Sequence, residues 1–202
     1  MDVTGISTVL VPAGGFSRRL GTPKAWLAWG HAPLLLRILE RLSPLADRAI
    51  VAARPGQALP TGRYERADDR LPGAGPLAAL AAGLGLAADP DPAARVAVSA
   101  CDYPFADPTL FVSLAAAAPH ADVVLPRWRE DVHPLQAVWR AGLAAACERE
   151  LLAGTRRIRD FLATIDCAVL DAENLTAVVD PARSLLNLND AADLARARRL
   201  EI

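Results

Sequence analysis

The sequence predicts an α/β fold, a three-layer αβα sandwich with a mostly parallel, Rossmann-like sheet. Short apolar runs alternate along the chain with longer segments whose apolar residues recur at helical spacing. The chain has 202 residues, of which 52% are hydrophobic and 22% charged, enough for a substantial core. No internal repeat or long linker divides it, so we expect one domain over residues 1–202.

Six short apolar runs are predicted as strands. The first, STVLV, leads into a glycine-rich loop, and the third, RVAVSA, ends at Cys101 and Asp102. Pro104 stops the third strand from continuing, and the fifth run, HPLQAVW, alternates apolar and polar residues. In order, the predicted strands are residues 7–11, 48–53, 95–100, 121–126, 133–139 and 167–171.

Apolar residues at helical spacing predict the helices that connect these strands. Proline suits the first position of a helix, and two of the helices begin at a proline. Asp107 and Asp190 precede later helices as N-cap residues. In order, the predicted helices start at Pro33 and Pro76 and then cover residues 107–118, 141–154, 155–165 and 191–202.

Composition and charge exclude several classes of function. The formal net charge is −1, so no basic field attracts nucleic acid or a membrane surface. No apolar run approaches the roughly 18 residues of a membrane span, and no secretory signal sequence is evident. Cys101, Cys147 and Cys167 form no CxxC pair, which favours reduced thiols over a disulfide or zinc site. We therefore expect a cytoplasmic protein without a nucleic-acid or membrane partner.

Three polar clusters sit at predicted strand ends. They are residues 14–24, the pair Asp68 and Asp69, and Asp102. In open α/β sheets, ligands bind at the carboxyl ends of the strands. We therefore expect these clusters to meet on one rim of the sheet, although they are distant in the sequence.

The stretch VPAGGFSRRLGTPKAW, residues 11–26, has the ingredients of a phosphate-binding loop. It matches neither the Walker A pattern nor GxGxxG. Gly14 and Gly15 allow a sharp turn and a close approach of backbone amides to an anion. Arg19 can bind two phosphate oxygens and Lys24 supplies a mobile positive charge, so a triphosphate is the natural ligand. The alternative is an ordinary strand–helix turn with solvated basic side chains.

Carboxylates mark the other two clusters. Asp68 or Asp69, in a loop rich in proline, glycine and aspartate, can bind a base amino group or a ribose hydroxyl; the alternative is a solvated loop. The helix start beside Gly75 can hold another phosphate. Asp102 directly follows a buried strand and suits Mg²⁺; the alternative is a helix cap, a role that Asp107 fits better.

Several motifs resemble, in the same order, those of a known enzyme family. VPAGGFSRRLGTPKAWL resembles the signature LAGGxSxRMGxDKxLL, GAGPLAAL resembles PGPLAGL, and ACDYPF resembles CDxPF. VHPLQAVW is similar to an hPL strand, GTRRIRDFL to a late helix, and LLNLNDAADLARA to a terminal F-N-I-N-T-P-E-D-L segment. Over about residues 9–198, the chain resembles the molybdenum cofactor guanylyltransferases, the MobA-type enzymes.

The resemblance implies Mg²⁺-dependent transfer of GMP from GTP to molybdopterin (the molybdenum cofactor), with release of pyrophosphate. It implies a nucleotide-binding half at about residues 1–105, an acceptor-binding half at about 106–202, and transient contact with molybdoenzymes or cofactor-biosynthesis proteins. The implied catalytic residues are Lys24 and Arg19 on the phosphates and Asp102 on Mg²⁺. The implied nucleotide contacts are Pro12, Ala13, Gly14, Gly15, Lys24, Asp68 or Asp69, and Gly75. Asn187 and Asn189 are implied on the acceptor side, where we also place His133, at the start of the fifth predicted strand.

Departures from the family pattern leave the base and the acceptor open. Pro12 replaces the usual leucine, and Pro23, before the lysine, is more typical of cytidylyl relatives. Ala52, Ala53 and Arg54 stand where the family usually carries an asparagine that helps to bind the base. The AGG triplet, in contrast, is the guanylyl form of the motif. The alternatives are cytidylyl transfer to the same cofactor, nucleotidyl transfer to a sugar phosphate, and a non-catalytic cofactor carrier.

Overall fold

The computed structural model describes residues 5–15, 21–71, 73–89 and 91–200. Its strands are β1 (Ile6–Pro12), β2 (Ala28–Trp29), β3 (Ala32–Pro33), β4 (Arg48–Ala53), β5 (Glu65–Asp68), β6 (Arg95–Ser99), β7 (Val123–Trp128), β8 (Asp131–Val132), β9 (Gln136–Arg140) and β10 (Cys167–Asp171). Its α-helices are α1 (Leu34–Leu42), α2 (Pro76–Ala87), α3 (Pro108–Ala117), α4 (Ala144–Leu152), α5 (Ile158–Leu162), α6 (Pro181–Ser184) and α7 (Ala191–Leu200). Short 3₁₀ segments cover Lys24–Trp26, Ala141–Leu143 and Ala172–Leu175.

One large sheet has the strand order β10-β7-β9-β6-β1-β4-β5, with β8 paired to β7. β1 is parallel to β4 and β6, β4 to β5, and β10 to β7. Only β9 runs against its neighbours β6 and β7 on this path through the described residues. The predicted mostly parallel sheet is confirmed, and β1, β4, β5 and β6 all end at one edge.

Both faces of this sheet are buried. Successive residues of a strand point to opposite faces, so β1 contributes to two cores. Val9 and Val11 pack with apolar residues of α1 and α3 on one face. Leu10 packs with residues of α2, α4 and α5 on the other face. Helices therefore cover both sides of the sheet, and the predicted three-layer sandwich is confirmed.

Several predicted elements match the structure closely. The predicted strands 48–53 and 167–171 coincide with β4 and β10, and α2 begins at Pro76. Asp107 caps α3 by accepting a hydrogen bond of 2.8 Å from the Thr109 amide. Asp190 caps α7 in the same way, through the Asp193 amide at 2.9 Å. None of the helices in the described ranges is long and apolar enough to cross a membrane.

Other predicted boundaries are corrected by the structure. Pro33 does not begin α1, because its backbone is extended, with ψ 144°, and pairs with Ala28 in a two-residue ribbon. The predicted strand 133–139 begins only at Gln136, and the strand predicted at 121–126 is β7, shifted towards the carboxyl terminus. The helices predicted at 141–154 and 155–165 shorten to α4 and α5.

The loop predicted before Pro76 contains a strand, β5. Its sequence, ERAD, carries three charged residues, and Ala67 is the buried one. Because β5 is at the edge of the sheet, it contacts a single neighbouring strand and lacks the apolar run of a central strand. Its ladder with β4 positions the two aspartates at its end.

Candidate active site

A cleft of about 310 Å³ opens at the edge where β1, β4, β5 and β6 end. The structure brings together parts of all three polar clusters there. Of the predicted site residues, those that line the cleft are Pro12, Ala13, Gly14, Gly15, Lys24, Asp69, Gly75 and Asp102. The rim expected from strand order is therefore a real concave surface.

Lys24 begins the 3₁₀ turn Lys24–Trp26 that follows the glycine-rich loop. The turn is anchored beneath Lys24 by Ala25, which is buried, and the Leu27 amide donates to the Lys24 carbonyl at 3.1 Å. The side chain is mostly covered, and its ammonium lies 3.0 Å from Oδ2 of Asp102. The predicted phosphate ligand and the predicted metal ligand thus form an ion pair.

The backbone of Asp102 is fixed from several directions. The preceding amide, of Cys101, donates to the Pro12 carbonyl at 3.1 Å, which continues the ladder between β6 and β1. The Asp102 carbonyl accepts from the Leu188 amide at 2.8 Å, which ties the late segment around Asn187 and Asn189 to the cleft. These bonds fix the backbone from which the carboxylate projects.

The free oxygen of Asp102 fits a hard cation. Its Oδ1 is buried and has no hydrogen-bond partner among the described residues. A buried carboxylate oxygen without a partner is costly, and Mg²⁺ binds one or two carboxylates together with phosphate oxygens and water. The described residues contain no cluster of three or more acidic, histidine or cysteine side chains that could hold a metal. The Asp102 oxygen therefore fits a Mg²⁺ ion whose other ligands would come from outside the described side chains.

The two neighbouring aspartates have different surroundings. Asp69 is 5% exposed, and its amide extends the β5–β4 ladder by donating to the Ala53 carbonyl at 2.8 Å. Its Oδ1 accepts from the Leu71 amide at 2.8 Å, and the residue lines the cleft. Asp68 instead pairs with Arg66 at 2.7 Å and is not among the described residues that line the cleft. Between the two aspartates that the sequence left open, the geometry favours Asp69 as the ligand-facing one.

The amino-terminal end of α2 also faces the cleft. Gly75 precedes the helix with φ 85° and ψ −167°, a backbone conformation that residues other than glycine rarely adopt. Among the residues that the structure describes, no side chain caps this end. The amides at a helix amino terminus attract anions, so this end supplies positive potential to the cleft.

Among the lining residues that sequence reasoning did not name as site residues, Arg54 and Cys101 have ionisable side chains. Arg54 follows β4 directly, and a Cβ on Gly14 would lie 3.7 Å from its Cγ. Its place at the end of a parallel strand was the available signal. Cys101 also lines the cleft, but burial raises the pKa of its thiol well above the ordinary range. A neutral thiol is a poor nucleophile, so this cysteine does not suit covalent catalysis.

The predicted acceptor-side residues lie outside the described lining of this cleft. The Nδ1 atom of His133 lies 3.2 Å from the Tyr103 hydroxyl. Asn189 donates from its side chain to the side-chain oxygen of Asn187 at 3.1 Å. Arg19, the other predicted phosphate ligand, falls in residues 16–20, outside the described residues.

An open α/β sheet with a glycine loop, a lysine and carboxylates at its strand ends is the arrangement expected of a nucleotide-binding α/β protein. Residues 9–171 match the family model of the MobA-like NTP transferase domain. The chain belongs to this family and is accordingly a nucleotidyltransferase.

A curated relative supports this assignment, and solved structures share the fold. A probable molybdenum cofactor guanylyltransferase of Mycobacterium avium is 38% identical over 200 residues, which cover 96% of this chain and 94% of the relative. The crystal structure of molybdopterin-guanine dinucleotide biosynthesis protein A from Archaeoglobus fulgidus has a TM-score of 0.78 at 24% identity, covering 96% of this chain and 97% of that one. A 2-C-methyl-D-erythritol 4-phosphate cytidylyltransferase from Thermus thermophilus has the same fold, with a TM-score of 0.70 at 21% identity and coverage of 97% and 98%. The predicted fold class is therefore shared with known nucleotidyltransferases.

Proposed function

We propose that this protein transfers GMP from GTP to the phosphate of molybdopterin, releases pyrophosphate and uses Mg²⁺. The observation that carries the proposal is the meeting of the glycine loop, Lys24, Asp69 and Asp102 in one cleft. The 38% identity to a probable molybdenum cofactor guanylyltransferase supports the choice of substrates.

In this proposal, the triphosphate lies between the glycine loop, Lys24 and the start of α2. A Cβ added to Gly15 would meet no described protein atom within 4 Å, so packing does not demand glycine there. Close approach of a ligand to the backbone explains it. Lys24 supplies positive charge, and Arg19 remains a predicted second cation on the phosphates. Because both reactants are anions, neutralising their charge is the main task of these residues.

Asp102 is the residue that would hold Mg²⁺. Bound there, the ion would neutralise charge on the phosphate oxygens. Lys24, 3.0 Å from the same carboxylate, pairs with Asp102 and is placed to contact a phosphate oxygen of the bound nucleotide. The ion pair therefore keeps both groups ready for the substrate.

The chemical step is a displacement at the α-phosphorus of GTP. An oxygen of the molybdopterin phosphate forms a bond to that phosphorus, the bond to the bridging oxygen of the β-phosphate breaks, and pyrophosphate leaves with the electron pair. A phosphate monoester is already ionised near neutral pH, since its second pKa is about 6, so no general base is needed. Positioning of two bound anions is the protein's contribution.

Asp69 is the proposed reader of guanine. A carboxylate accepts hydrogen bonds, and guanine presents the N1 hydrogen and the N2 amino group as neighbouring donors. The acceptor-side residues His133, Asn187 and Asn189 remain predictions, as do a cytoplasmic location and contact with molybdoenzymes. Cytidylyl transfer is the second candidate, because a cytidylyltransferase shares the fold and Pro23 is more typical of the cytidylyl relatives.

Nucleotide selectivity tests the proposal directly. We expect Mg²⁺-dependent binding of GTP in calorimetry, at least about tenfold tighter than binding of CTP, ATP or UTP. With molybdopterin present, GTP should yield equal amounts of pyrophosphate and the guanine dinucleotide, and EDTA should stop the reaction. Preference for CTP would replace the guanylyl proposal with the cytidylyl one, and absence of turnover with any nucleotide would favour a carrier.

A further inference from the structure

A tight turn directly after β4 contacts the glycine-rich loop at Ala13, and this loop is called the nucleotide loop below. Residues 54–57 read Arg-Pro-Gly-Gln, and the Gln57 amide donates to the Arg54 carbonyl at 3.0 Å. Gly56 has φ 70°, the positive value that the third residue of a type II turn requires. The proline before it favours the same turn. The local sequence thus specifies this conformation.

Gln57 connects the turn to the glycine loop. Its side-chain Nε2 donates to the Ala13 carbonyl at 2.9 Å. Its side-chain Oε1 accepts from both the amide and the Nε of Arg54, each at 3.3 Å. The Ala13 amide in turn donates to the Ala52 carbonyl at 2.7 Å. The Gln57 side chain therefore binds the nucleotide loop through its amide nitrogen and Arg54 through its amide oxygen.

Arg66, on β5, fixes the turn from the neighbouring strand. Its two terminal nitrogens donate to the carbonyls of Gln57 and Arg54, each at 2.7 Å. Its Nε donates to Asp68 at 2.7 Å. This gives Asp68 a role different from base reading, because it orients the arginine that fixes the turn.

The Cγ of Arg54 lies beside Gly14, and Arg54 and Asp69 both line the cleft. A guanidinium offers only donors and a carboxylate only acceptors. Guanine has two adjacent acceptors, O6 and N7, on one edge and donors at N1 and N2 on another. Adenine places a donor amino group beside N7, so it does not match a fork of donors.

We propose that Arg54 is the residue that determines nucleobase choice, by donating to O6 and N7 of guanine, and that Gln57 is its positioning residue. The inference rests on the proposed guanylyl transfer and assigns a second contact to the base. The assignment of Arg54 explains how guanine would be selected although Ala52 and Ala53 stand where the family usually carries an asparagine. Arg54 and Asp69 then read different edges of one base.

Arg54→Ala, measured by calorimetry with Mg²⁺, tests the assignment. We expect GTP binding to weaken about tenfold or more while ATP and CTP binding change by less than about twofold. 7-Deaza-GTP, which lacks the N7 acceptor, should bind the wild type several-fold more weakly than GTP does. The Arg54→Ala variant should not distinguish 7-deaza-GTP from GTP, because the donor for N7 is gone. Arg63→Ala, which removes an exposed arginine outside the cleft lining, is the matched control and should leave all four affinities unchanged.

Gln57→Leu tests the positioning step. It should lower the ratio of GTP to ATP affinity in the wild-type background and leave that ratio unchanged in the Arg54→Ala background. An equal effect in both backgrounds would show that Gln57 acts on the loop alone and would overturn its role towards Arg54.

These binding measurements distinguish a failure of the Arg54 assignment from a failure of the proposed guanylyl transfer. If the wild type binds GTP selectively but Arg54→Ala keeps that selectivity, the assignment of Arg54 is wrong and guanylyl transfer stands. An equal loss of GTP, CTP and ATP binding would place Arg54 on the phosphates and also overturn its role in base choice. A wild type that binds no GTP would overturn the proposed function itself.

Discussion

The two predicted halves of the molecule present their polar side chains differently. In the first half, four parallel strands end at one edge, and Lys24, Arg54, Asp69 and Asp102 reach a common cleft. Beyond residue 105, no polar side chain of the described residues lines this cleft. Asn189 donates to Asn187 at 3.1 Å, and the buried Gln136 donates to the Ser184 carbonyl at 3.3 Å.

Strand direction accounts for this difference. Loops that follow neighbouring parallel strands converge because the carboxyl ends of those strands coincide. β9 is antiparallel to β6, and its first residue, Gln136, pairs with Ser99, the last residue of β6. The segment that precedes β9 therefore lies at the edge where the parallel strands end. Leu135 consequently lines the cleft, whereas His133 contacts Tyr103 instead. Topology therefore gathers the first set of residues, while the second set depends on individual side-chain packing.

Asp102 joins the two halves, and changing it should have the largest effect. Asp102→Asn preserves the shape of the side chain but removes the charge that pairs with Lys24 and suits Mg²⁺. We expect kcat for GMP transfer to fall at least about 100-fold. Steady-state assays of pyrophosphate release at saturating GTP measure this.

The control for Asp102→Asn is its melting temperature. The backbone bonds from Leu188 and to Pro12 do not involve the carboxylate, so the fold should be retained. Full turnover by a folded variant would remove Asp102 from the catalytic machinery and leave the cleft without its proposed metal ligand.

A pair of glycines in α2 tests the packing behind the cleft. A Cβ on Gly83 would lie 2.3 Å from Cδ1 of the fully buried Leu10 in β1. Alanine there should destabilise the protein by about 1–3 kcal/mol through overpacking, partly offset by the roughly 1 kcal/mol that alanine gains over glycine in a helix. Urea denaturation measures the change in the free energy of unfolding.

Gly85→Ala is the matched control on the same helix. Gly85 is exposed, and the nearest atom to its added Cβ is Cβ of Ala144 at 3.8 Å, an ordinary contact. This variant should gain about 0.5–1 kcal/mol of stability. Equal effects of the two substitutions would mean that Leu10 yields freely and that β1 is not tightly packed against α2.

The sequence was sufficient for the fold and for much of the cleft because apolar periodicity and the strand-end rule act locally. Pro76 begins α2 and Asp107 caps α3 as predicted, and β4 lies where its apolar run predicts it. β5 was missed because an edge strand needs little apolar surface. Which of Asp68 and Asp69 lines the cleft was beyond sequence reasoning, since it depends on the pairing of Asp68 with Arg66. Predicting that Arg54 lines the cleft required knowledge of the turn that places its side chain beside Gly14.

The smallest expected effect concerns His133, in the second half. Burial lowers the pKa of His133 below its ordinary value of 6.5, although Asp131 opposes this, and its Nε2 is buried without a hydrogen-bond partner among the described residues. Below pH 6.5 the unfolded chain therefore binds a proton before the folded chain does, so this residue's contribution to stability is lost as the pH falls from 6.5 through the lowered pKa.

His133→Gln should flatten the pH dependence that this imidazole produces, because glutamine stays neutral and can still bind the Tyr103 hydroxyl. The free energy of unfolding, measured with urea at about pH 7.5 and about pH 5, should fall less on acidification in the variant than in the wild type. His120→Gln, at an exposed position, provides the control for removing a histidine. Parallel pH curves for wild type and His133→Gln would mean that the imidazole is as easily protonated in the folded chain as in the unfolded one, and that this part of the second half is open to solvent.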